Sequence, residues 1–175
     1  DLVLDRVGGL QPMKAFDARS IAVVPYFESA LYRLADEDLT PERVLTLARE
    51  TERRVLGMES PRPLLAIPHL LNQESAASYQ GYLLADMAVA QTRSHFVREY
   101  GYLTDNPAIG PALSAHYWEP GNSVDHDAML RGLTGEGFSA KYLAEECHAS
   151  AEEARAEAQA QMRAAADRPY PAGNT

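Results

Sequence analysis

His69, Tyr79 and Tyr82 fall within one stretch, IPHLLNQESAASYQGYLLADM. Tyr79 and Tyr82 stand at i and i+3, so on a helix both phenols point the same way. A histidine just upstream can reach the same point. Imidazole and phenol are hydrogen-bond donors. Donors aimed at one spot stabilise the oxyanion that forms when water attacks a peptide carbonyl. Spacing alone also suits two tyrosines packed in a core with their hydroxyls tied to backbone, and that is the commoner use of such a pair.

The elements that must hold these residues read as helices. LTPERVLTLARETERRVLG is the clearest: Thr40 is a good N-cap, Pro41 suits the first helical position, and Gly57 supplies the residue after the end. Upstream, IAVVPYFESALYRLAD carries Pro25 in the first turn of a helix. That helix is expected to cover YFESALYRLAD, and Ile21 to Val24 before it read as a short strand. MESPRPLLAIPH breaks the pattern with three prolines. A long helix is expected from about Ser75 to Tyr100, apolar through Ala90 and therefore central to the core, closed by Gly101. Further helices are expected from Pro107, after Ser123 as N-cap, and after Ser139 as N-cap. The first twenty residues, with Gly8, Gly9 and Pro12, read as irregular. No alternating strand pattern with a hairpin signal appears, so the fold class is all-α. The expected organisation is a helical domain over residues 1–150, a polar Ala/Glu-rich helix projecting over 151–167, and a disordered tail over 168–175.

The chain has 175 residues, enough for a substantial core. Its formal net charge of -9 argues against duplex nucleic acid and anionic lipid as partners. No apolar run is long enough to cross a bilayer. The N-terminal DLVLDRVGGLQ lacks the pattern of a signal peptide. A chain that begins at Asp1 reads as processed or as a piece of a longer one. The single cysteine, Cys147, excludes an internal disulfide. A cytoplasmic protein is expected.

In its order of motifs the sequence resembles the C-terminal catalytic region of the thimet oligopeptidase and oligoendopeptidase F family of zinc metallopeptidases. IPHLLNQESAASYQGYLLADM is similar to the family's histidine loop and tyrosine-bearing helix. YFESALYRLADEDLTPERVLTLARETERRVLG is similar to the helix pair upstream of that loop. NPAIGPALSAHYWEPGNSVDHDAMLRGLTGEGFSAKYL is similar to the family's ending. The likeness covers about residues 25 to 145. It implies that His69, Tyr79 and Tyr82 contact substrate and stabilise the tetrahedral intermediate. Ser75, one turn before Tyr79, stands where thimet-type members carry another tyrosine, and it joins His69 and Tyr79 as a substrate contact.

The family's zinc motif is absent. A zincin needs H-E-x-x-H on a helix, with two imidazoles for the metal and a glutamate for its water. The five histidines, His69, His95, His116, His126 and His148, are followed by Leu, Phe, Tyr, Asp and Ala. No metal ligand is assigned in this chain. His116, Asp125, His126 and Asp127 are close in sequence, but the last three diverge around a helix start. The resemblance therefore implies the part of a peptidase that follows the zinc site. Zinc would be held by a missing N-terminal half or by a separate H-E-x-x-H chain, and the substrate would be a short peptide. The competing reading is a non-catalytic helical protein that keeps the fold and binds a peptide or a partner.

Overall fold

The computed structural model describes residues 2–63 and 67–168. Among these the protein is all-α, without a strand, and no helix is long and apolar enough to cross a membrane. The expected tail, apart from Arg168, lies outside the described residues. The helices are α1 (Leu2–Leu10), α2 (Lys14–Leu31), α3 (Pro41–Leu56), α4 (Ile67–Leu71), α5 (Gln80–Tyr100), α6 (Ile109–Leu113), α7 (His126–Thr134), α8 (Lys141–His148) and α9 (Ala151–Ala166). They fall into two compact units. One comprises residues 13–85, and the other residues 1–12 with 86–175.

The unit of residues 13–85 is built on α2 packed against α3. Helix α3 begins and ends where its sequence signals place it. Thr40 Oγ1 accepts the Arg43 N–H at 3.2 Å, Pro41 occupies the first turn, and Gly57 takes a left-handed φ of 77°. Helix α2 starts earlier than its sequence suggests and runs through Pro25. A proline there removes one backbone donor. Burial of Val23, Val24 and Phe27 on the same helix outweighs that loss. Two apolar clusters result: Val23 and Val24 with Leu56, and Phe27 with Leu47 and Ala48.

In the other unit α1 packs on α9. Residues 2–10, part of the first twenty expected to be irregular, are helical because packing on α9 overrides the two glycines. Gly8 is buried, and a Cβ at that position would overlap the Arg155 guanidinium, whose Nε donates to the Leu4 carbonyl at 3.3 Å. Glycine leaves room for this guanidinium beside α1. The polar helix expected to project thus has a partner in α1. It is also a separate helix from α8. Ser150 Oγ accepts the Glu153 N–H while Glu153 accepts the Ser150 N–H, a reciprocal capping box that restarts the helix. Gln11 is buried and donates through Nε2 to the carbonyls of Glu146 and Ala149 at 2.7 and 2.8 Å, which pins the break. Asp125, rather than Ser123, caps α7, accepting the Ala128 N–H at 2.7 Å.

Gln91 on α5 organises the loop after α7. It is 1% exposed. Its Oε1 accepts the Ser139 N–H at 3.0 Å, and its Nε2 donates to Gly137 O at 3.0 Å and to Thr134 Oγ1 at 3.2 Å. Gln91→Leu would strand these groups, at about 1–3 kcal/mol for each left buried and unpaired. Urea unfolding is expected to show a loss of at least about 2 kcal/mol for this variant. An unchanged midpoint would mean that water replaces the amide.

Three exposed carboxyls in this unit are held below their ordinary range. Asp127 is lowered by the Phe138 backbone N–H (2.7 Å) and then by Arg131. Glu136 is lowered by the Tyr142 hydroxyl. Glu153 is lowered by the Ser150 backbone N–H. Each folded carboxyl gives up its proton more readily than the unfolded one. Its contribution is therefore fully present above the ordinary carboxyl pKa of about 4 and is lost as pH falls through the lowered folded value. Asp127→Asn cannot carry that dependence. Thermal midpoints taken from about pH 6 down to about pH 2 are expected to show the gap between wild type and Asp127→Asn closing with acid. A constant gap would contradict this.

Candidate functional site

The unit of residues 13–85 brings His69, Tyr79 and Tyr82 together. The His69 and Tyr79 ring centroids are 4.9 Å apart and the planes meet at 85°. His69 and Tyr82 lie at 5.8 Å and 82°, and Tyr79 and Tyr82 at 5.0 Å and 62°. These are edge-to-face contacts, each contributing about 0.5–1.5 kcal/mol beyond the area buried. The three rings make a closed cluster.

The sequence places these residues correctly relative to one another, but not their supports. His69 is on the short helix α4 rather than in a loop. Tyr79 lies in the turn before α5, because that helix begins at Gln80 and not at Ser75. The i, i+3 relation survives, since the Tyr82 N–H donates to the Tyr79 carbonyl at 3.2 Å. Ser75 belongs to the preceding turn. Its N–H donates to Asn72 O at 3.0 Å, and its carbonyl accepts from the Ser78 hydroxyl. The ring contacts do not involve it. The apolar first half of α5, expected in the core, leaves Leu84 and Val89 exposed, whereas burial starts at Ala90.

Helices α2 and α3 position the cluster. Tyr79 packs against the Val23, Val24 and Leu56 cluster, and Leu70, next to His69, packs against Phe27, Leu47 and Ala48. The residue that sequence reasoning missed is Glu28. It is 3% exposed, and its Oε1 accepts the Ala77 N–H at 2.6 Å and the Tyr32 hydroxyl at 3.1 Å. Ala77 has φ 57°, a left-handed conformation uncommon outside glycine. A buried carboxylate thus holds a strained turn two residues before Tyr79. The signal available was an acidic residue within the otherwise apolar core stretch of α2.

The polar atoms of the cluster are unspent. His69 Nδ1 is buried with no hydrogen-bond partner. Neither tyrosine hydroxyl makes a hydrogen bond among the described residues. A buried orphan nitrogen costs about 1–3 kcal/mol and calls for an explanation such as a ligand or catalytic role. Beside the cluster in sequence, Leu70 and Leu71 line an apolar groove of about 540 Å³ with Phe27, Leu31 and Val44. Zinc is the metal that the resemblance implies. Among the described residues no three of His, Cys, Asp and Glu are grouped to hold a metal ion, and the ring partners of His69 are the phenols of Tyr79 and Tyr82. Asp125 and Asp127, close to two histidines in sequence, are engaged as a helix cap and as the acceptor for Phe138 and Arg131. No family model, curated protein or solved structure matches this chain.

The dependence on Glu28 is testable by substitution. Glu28→Leu is expected to abolish the hydrogen-exchange protection of the Ala77 amide and shift the Tyr79 ring resonances. Glu28→Gln, which keeps an acceptor oxygen, is expected to preserve both. Equal protection in the leucine variant would show that the turn holds itself.

Proposed function

We propose that this chain is the C-terminal, substrate-binding part of a cytoplasmic zinc-dependent oligopeptidase that hydrolyses short peptides. The reading is carried by the convergence of His69, Tyr79 and Tyr82 with both phenolic hydroxyls free of hydrogen bonds among the described residues. Such donors lose nothing internal when a substrate oxygen arrives. Tyr82, exposed at the cluster edge, donates to the oxygen that becomes negative during attack. Tyr79, anchored on the core, and His69 orient the neighbouring peptide groups, with Ser75 at the rim. Zinc and the attacking water belong to an H-E-x-x-H segment or partner chain.

The second reading, a non-catalytic peptide- or partner-binding protein, is favoured by the apolar groove beside Leu70 and Leu71. A helix or an extended apolar segment would fill it without any chemistry.

Turnover separates the two. With the H-E-x-x-H part present and an internally quenched short peptide as substrate, Tyr82→Phe is expected to lower kcat by about 10²–10³, the usual cost of one oxyanion donor. The thermal midpoint is expected to stay put, because this hydroxyl supports nothing internal. Equal turnover by the variant would remove Tyr82 from the mechanism and leave the binding reading.

A further inference from the structure

Helix α3 carries Arg43, Arg49, Arg53 and Arg54. Three of them have carboxylate partners: Arg43 with Glu50 at 3.3 Å, Arg49 with Glu59 at 3.2 Å, and Arg53 with Glu59 at 2.8 Å. Arg54 differs. Its guanidinium carbon lies 5.3 Å from the centroid of the Tyr26 ring, a cation–π contact. It has no ion pair among the described residues. Arg19 on α2 has none either. Arg19, Tyr26 and Arg54 line one groove of about 530 Å³, together with Ala22, Val55 and Gly57.

Two guanidiniums without a counter-charge in one groove are notable in a chain with 25 acidic and 16 basic residues. Carboxylates are plentiful, yet none lines this groove. The helical spacing explains the arrangement: Arg19, Ala22 and Tyr26 recur at i, i+3 and i+7 on one face of α2. Val55 also packs on the Val23, Val24 and Leu56 cluster, so the groove stands on fixed core. Guanidinium is a planar fork of donors that matches a carboxylate through two parallel hydrogen bonds. The Tyr26 ring, Ala22 and Val55 form an apolar wall suited to the methylenes that carry such a carboxylate.

We propose that Arg19, Arg54 and Tyr26 form a subsite for a carboxylate of an acidic peptide. The site requires no catalytic role of the His69 cluster and is tested by binding alone. The probes are acetyl-triglutamate, acetyl-triglutamine amide and inorganic phosphate, titrated into the full chain at low salt while the Arg Nε–H resonances are followed by NMR. Acetyl-triglutamate is expected to shift the Arg19 and Arg54 signals saturably and to leave Arg43 unmoved. Arg19→Gln and Arg54→Gln are each expected to weaken binding at least about fivefold, since charge-assisted bonds are the strong ones. Arg54→Lys, which keeps the charge but not the fork, should weaken it by less. Arg43→Gln should change nothing. Arg19 and Arg54 are exposed and Arg43 is half-exposed, so the variants keep their fold. The proposal is overturned if acetyl-triglutamate moves neither signal, if Arg43→Gln weakens binding equally, or if acetyl-triglutamine amide or phosphate binds as tightly.

Discussion

Glu28 is the point through which α2 holds the turn at residues 72–78, its Oε1 taking the Ala77 amide at 2.6 Å with almost no exposure to water. A buried carboxylate among Val23, Val24 and Phe27 is costly unless it is hydrogen-bonded. Here the bonds go to a backbone amide in a left-handed conformation and to Tyr32. That turn decides where Tyr79 lies and where α5 begins. Tyr79 then meets His69, which α4 holds beside Leu70 on the second apolar cluster. One interaction on α2 thus fixes one arm of the ring cluster, and the α2–α3 core fixes the other.

The sequence is most informative where a local rule acts alone. Thr40, Pro41 and Gly57 bound α3 because capping and left-handed termination need only neighbouring backbone. The Tyr79 and Tyr82 pairing is legible for the same reason, as i, i+3 geometry persists through the first turn even though one residue precedes the helix. Legibility fails where distant residues decide. Gly8 looks like a breaker until α9 is placed against it. Pro25 looks like a helix start until Val23, Val24 and Phe27 are seen buried on one continuous helix. The Ser150 and Glu153 capping box was readable, but it was masked by the high helix propensity on both sides. Glu28 was not readable as a site residue, since its partner Ala77 is remote in sequence and carries no side-chain signal.

The site's chemistry is one-sided. It offers phenol and imidazole but no metal-binding set among the described residues. On the proposed reading that is a division of labour. The metal and the water come from the H-E-x-x-H part, while this part contributes donors and an apolar groove. Edge-to-face packing lets the three rings hold each other without using their polar atoms. A site of this kind can be ordered before substrate arrives, which is what electrostatic stabilisation of a transition state requires.

The most direct test is native mass spectrometry of the species containing this sequence, isolated from its own host. The account predicts one zinc for each copy of the sequence, together with an H-E-x-x-H segment in the same chain or in a tightly held second one. A zinc-free species with no such segment would contradict it and leave His69, Tyr79 and Tyr82 as part of a binding protein.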